Sequence, residues 1–154
     1  MDGRIAFRLT LASAAIFVAG CGQPSAPTAP ALVFAGTPAL TLASASGQLS
    51  IGVWWSPLQP TVGYDATQLA ITDTTGAPVT GLTLAIVPWM PAHGHGASVL
   101  PTVSETAPGV YVATPLDFFM AGNWELMTAI DRPTGDAGSA GAIDDSADPT
   151  LEVP

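Results

Sequence analysis

The chain has 154 residues, enough for one domain with a hydrophobic core. Hydrophobic residues make up 48% and charged ones 10%, with 16 glycines, 15 prolines and no lysine, so the solvent faces of long helices cannot be built and an all-β domain with flexible tails is expected. The formal net charge of −9 excludes nucleic-acid binding, which needs Lys and Arg to neutralise phosphate, and excludes electrostatic attraction to anionic lipid.

Arg4 and Arg8 precede a mostly apolar run, Leu9 to Ala19 (LTLASAAIFVA), too short to span a bilayer as a mature helix. It ends in Val18-Ala19-Gly20-Cys21, which resembles the bacterial lipobox. The resemblance implies a signal peptide over residues 1–20, cleavage before Cys21 and a diacylglycerol group on its thiol. Two or three acyl chains suffice for stable anchoring. Cys21 is the only cysteine, so it is expected to be neither disulfide partner nor metal ligand. Cleavage leaves eleven acidic residues and one basic residue, Arg132, a net charge of −10. The expected location is extracytoplasmic and lipid-anchored; Gly22 rather than Asp after the cysteine favours the outer membrane, facing the periplasm, under enteric-type sorting.

Residues 21–45 read as a tether of Pro, Ala, Ser and Thr, with the domain proper over 46–153. Leu49 to Trp55 alternates Leu, Ile, Val and Trp55 on one face, the pattern of a half-buried strand. Tyr64–Thr72 is the next strand, and Asp73–Pro78 is a turn by composition. Leu82–Val87 returns, and Pro88, which lacks an amide donor, is expected to end the ladder. A short edge strand over Val99–Val103 is broken by Pro101. Pro108-Gly109 turns into Val110–Thr114, and Phe118–Asn123 turns into Trp124–Ile130, where Trp124, Leu126 and Ile130 share a face. Gly135–Ser146 reads as a loose loop, and Thr150–Val153 as a last strand. Seven or eight short strands with turns about every ten residues point to a β-sandwich, with a small closed barrel as the alternative.

Both histidines lie in Pro88-Trp89-Met90-Pro91-Ala92-His93-Gly94-His95-Gly96. This stretch, followed by Gly109-x-Tyr111 and Phe119-Met120-x-Gly122-x-Trp124, resembles the YtkA-like and FixH-like domain family. The resemblance covers about Gly47–Ile130. It implies a small Ig-like sandwich on a bacterial extracytoplasmic lipoprotein, with an accessory, non-catalytic role in copper handling or in the assembly of a copper-containing oxidase. It maps Met90, His93, His95 and Met120 onto the motif's ligands. Ala92 beside His93 departs from members that place another methionine there, which leaves a methionine-rich ligand set open.

By residue chemistry alone, a His-x-His pair can place both imidazoles on one side of an extended segment, and the flanking glycines free the backbone. Imidazole suits copper and zinc, and a thioether biases a site towards Cu(I). With no thiolate and no third histidine, structural zinc is disfavoured against copper. The competing reading is a hydrogen-bonded turn, with Met120 plugging the sandwich end and Trp89 and Trp124 packing the core or its rim. On that reading the domain is a structural or protein-interaction module without metal. Catalysis is not expected: Ser98, either histidine and Asp117 make a triad only on paper, and no nucleophile elbow surrounds any serine.

Overall fold

A computed structural model describes residues 31–132 and 142–154. The expected signal peptide, Cys21, the expected tether as far as Pro30, and residues 135–141 of the expected loose loop lie outside the described residues. Ala31–Pro154 forms one compact unit. Its strands in chain order are β1 (Leu40–Ala43), β2 (Leu49–Ser56), β3 (Gly63–Asp73), β4 (Thr83–Met90), β5 (His95–Gly96), β6 (Thr102–Ala107), β7 (Val110–Phe118), β8 (Gly122–Arg132), β9 (Ile143–Ala147) and β10 (Thr150–Val153).

These strands make two antiparallel sheets rather than one closed barrel. The first has the order β1-β2-β3-β7-β6. In the second, β8 pairs with β4 on one side and with β10 and then β9 on the other, and β5 extends the β4 edge. The fold is a β-sandwich, as the strand pattern predicts.

The period-two alternation sets the core. Leu49, Ile51, Val53 and Trp55 face inward from β2, and Trp124, Leu126, Thr128 and Ile130 from β8, all buried. Each large apolar side chain buried this way contributes roughly 1.5–3 kcal/mol. The Tyr111 hydroxyl ties the sheets together from β7: it donates to Val79 O at 2.8 Å and accepts from Leu82 N at 3.2 Å, on the connection that crosses from β3 to β4.

Four expectations need correction. Leu40–Ala43, within the stretch assigned to the tether, is a strand paired with β2, and Leu40 and Leu42 pack on the core. Val99–Pro101 is not a strand; the edge strand starts after Pro101 and runs along β7 as Thr102–Ala107. Ile143–Ser146, assigned to the loop, belongs to β9 and pairs with the end of β8. Pro88 does not end β4, which continues to Met90, with Pro88 opposite Leu126. The reason is directional. Pro88 O accepts from Ala97 N at 2.9 Å, so the residue's backbone polar groups face the β5 edge. The missing amide therefore removes no bond to β8.

Candidate functional site

The ends of β2, β4 and β7 and the starts of β3 and β8 meet at one end of the sandwich, here called the tip. All four motif residues lie there. Met90 is the last inward-facing position of the series Leu84, Ile86, Pro88, Met90, and is 1% exposed. Its carbonyl accepts from His93 N at 3.1 Å and from Gly94 N at 3.0 Å, closing the turn over residues 91–94. Gly94, at φ +68°, takes the left-handed conformation that this return requires.

The chain then pairs back on itself, with His95 opposite Met90 and Gly96 opposite Trp89. Directly opposed residues of an antiparallel ladder share a face. His95 therefore stands on the core side of its sheet, beyond the last buried residue, and is exposed. His93 in the turn is exposed too.

The imidazoles of His93 and His95 have ring centres 5.6 Å apart, tilted by 40°. Two imidazoles sharing one ion through nitrogen bonds of about 2.0 Å have ring centres about 4.5–6.3 Å apart. The ring spacing falls within that range. His95 also packs on Phe119 at 5.4 Å, and Phe119 meets Trp124 edge-on at 5.3 Å. The Trp124 indole N–H donates to Met120 O at 3.0 Å, which fixes the turn from β7 to β8. An aromatic chain therefore leads from the exposed loop to the buried Trp124, which contacts buried Phe118 at 5.3 Å.

The two methionines differ. Met120 is half-buried and packs against the core rim. The Met90 thioether lies within the core and ends below the β7–β8 turn, where a Cβ on Gly122 would meet its Cε at 2.8 Å. The structure thus brings the two imidazoles together at the surface and holds Met90 beneath them in the packed interior. Among the described residues, no group of three or more His, Cys, Asp and Glu side chains gathers to hold a metal. Glu105, the nearest acidic residue in sequence, lies at the opposite end and accepts from Gly81 N and Gly109 N.

Phe119 has no assigned role in the sequence reading, although it stands in the quoted motif. Its contact with His95 joins segments 24 residues apart in sequence, which periodicity cannot report. Asp65 is a second such residue: it accepts from Thr61 N and Thr61 Oγ1 and pins the β2–β3 connection at the tip. Burial raises its carboxyl above the usual range, against the lowering effect of those two bonds.

Residues 53–129 match the YtkA-like family. No curated protein and no solved structure matches the chain. The matched segment runs from β2 into β8 and carries the β4–β5 turn and the β7–β8 turn, and therefore both imidazoles and Met120. It spans half of the chain, and the protein belongs to the YtkA-like family.

Proposed function

We propose that this protein is a lipid-tethered extracytoplasmic domain that binds a copper ion at its tip and passes it to an envelope partner, such as a copper-containing oxidase, without catalysing a reaction. The observation that carries this reading is the His93–His95 pair, exposed and 5.6 Å between ring centres. Imidazole nitrogens suit either oxidation state of copper, and a thioether would favour Cu(I). His93 and His95 are the proposed ligands. Met120, on the neighbouring turn, is the thioether that can join them, while Met90 supports the loop from below. A site with few protein ligands leaves positions open for a partner's donors, which suits transfer more than storage.

Competition titration of the domain with Cu(I) and Cu(II) tests the reading. Binding tighter than micromolar that disappears in the His93→Ala/His95→Ala double variant is expected. Weaker binding, or binding unchanged in that variant, overturns it.

A second reading is a metal-free interaction module presenting its tip to a protein. The burial of Met90 favours it, because the full Met/His set is not gathered at the surface. Recovery of a crosslinked envelope partner by a copper-free chain, undiminished in the double-histidine variant, would select this reading.

A further inference from the structure

Most of the exposed large hydrophobic residues gather at one end, with Met127 on the outer face of β8 as an exception. Leu58 is 72% exposed and Val62 52% on the β2–β3 connection, Tyr64 is 70% exposed at the start of β3, and Phe119 is 45% exposed on the β7–β8 turn. All four belong to the tip. Carboxylates stand at both ends: Asp65, Asp117, Glu125 and Glu152 at or near the tip, and Asp73, Glu105, Asp131, Asp144 and Asp145 at the other end, where no comparable apolar group is exposed among the described residues.

The N-terminal arm also emerges at the tip. Val33 N donates to Ser56 Oγ at 3.1 Å, and Gly36 O accepts from the Trp54 indole at 3.0 Å, so the arm lies along the last residues of β2. Leu32 and Val33 on that arm are exposed as well, 47% and 63%. Nine residues lie between Cys21 and Ala31, ten steps with a contour of at most about 36 Å.

From this arrangement we infer that the tip seats on the lipid bilayer, with Leu58, Val62, Tyr64 and Phe119 in the headgroup region. The inference rests on the proposed acylation of Cys21. An anchor there attaches the domain through an arm that leaves at its tip end. The occupant is the interface of a zwitterionic bilayer: a net charge of −10 from Cys21 onward repels anionic lipid, while aromatic and aliphatic side chains partition into the interface without charge attraction. Seated this way, His93 and His95 lie at membrane level, facing an acceptor embedded in the bilayer.

The single cysteine makes the test direct. The chain from Cys21 onward, whose compact unit begins at Ala31, is coupled through Cys21 to a maleimide lipid in protein-free phosphatidylcholine vesicles with brominated acyl chains. Tryptophan emission is then compared with that in unbrominated vesicles. Quenching is expected for the native sequence through Trp54 and Trp89, the partly exposed indoles near the tip, Trp55 and Trp124 being buried. In Leu58→Asp/Val62→Asp, both substitutions on exposed loop positions, quenching is lost while circular dichroism and melting stay unchanged. No quenching of the native chain, or equal quenching in the double variant, overturns the seating and points the tip at a protein instead. Mass spectrometry of the chain from membranes of producing cells reads the anchor separately. Cys21 without acyl chains overturns the tether whatever the vesicles show.

Discussion

The end of the Met90 side chain fills the space that a side chain at Gly122 would need: a Cβ there would lie 2.8 Å from Met90 Cε. Gly122 also sits at φ +131°, a conformation that L side chains rarely adopt. The methionine end can swing aside, but the backbone strain cannot be relieved locally. Gly122→Ala is expected to destabilise the domain by about 1–3 kcal/mol, measured by urea denaturation. Met90→Ala, which empties a buried site, should cost about 2–5 kcal/mol. Because the two residues share one space, the double variant should lose less than the sum of the singles. Strict additivity would show that the contact carries no energy.

Removing the Tyr111 hydroxyl separates the sheets' polar tie from their apolar packing. Tyr111→Phe keeps the ring but leaves Leu82 N and Val79 O without their partner at buried positions. A loss of about 1–3 kcal/mol is expected, with an unchanged denaturant slope. A change below about 0.5 kcal/mol would mean that water replaces the hydroxyl.

The exposed histidines should matter to ligand and not to fold. His93→Ala/His95→Ala is expected to shift stability by no more than about 0.5 kcal/mol in metal-free buffer. In the native chain, saturating copper should raise the melting temperature, because a ligand bound only by the folded state stabilises it. The double variant should show no such rise. Thermal scans with and without copper check both statements.

Asp145 gives the acid response of the end opposite the tip. Burial pushes its carboxyl up, but hydrogen bonds from the Ser44 and Ser46 hydroxyls and from the Ser46 and Ser146 amides outweigh this and hold it at about 2, against an ordinary 3.8. A carboxyl depressed on folding adds stability that is fully present above its unfolded value and is lost as pH falls to the folded one. The Ser46–Asp145 contact joins the β1–β2 turn to β9, and so one sheet to the other. Stability should therefore decline between about pH 4 and pH 2, and Asp145→Asn should flatten that decline. Equal slopes for the two proteins in that window would remove Asp145 from the acid response.

The sandwich was legible because alternation is clean in β2 and β8, breaks in β3 and β7 only around their shared register shift, and each run is bounded by turn residues. The second half of the β4 motif was less so, for one reason. Taking Pro88 as the strand's end assigns Met90 to a loop, in keeping with the ligand role that the family resemblance implies for it. Carrying the same alternation through Pro88 puts Met90 inward, after Leu84 and Ile86, where the structure has it. Which side of the ladder a proline's missing amide faces depends on the neighbouring strands, and one strand's sequence does not carry that information. The same limit applies to β1 and β9: Leu40–Ala43 is short and follows a proline-rich stretch, and Ile143–Ala147 is mostly small and acidic, so each becomes a strand only through the partner beside it. The imidazole pair was legible from spacing, and its Phe119 neighbour was not, since that contact is made across the two connections.

Pro88 has another effect, on how molecules meet one another. Among the described residues, no strand lies beside most of β4 on the side away from β8, since β5 pairs with only Trp89 and Met90. Such an open edge is a template on which a neighbouring copy can add a strand, the first step of polymerisation. A residue that offers no donor on that side, followed at once by a hairpin that folds back over it, spoils the template in the last part of β4. The proline that leaves the pairing with β8 intact thus also discourages sheet growth between molecules, which would matter most if the proposed anchor crowds them on a two-dimensional surface.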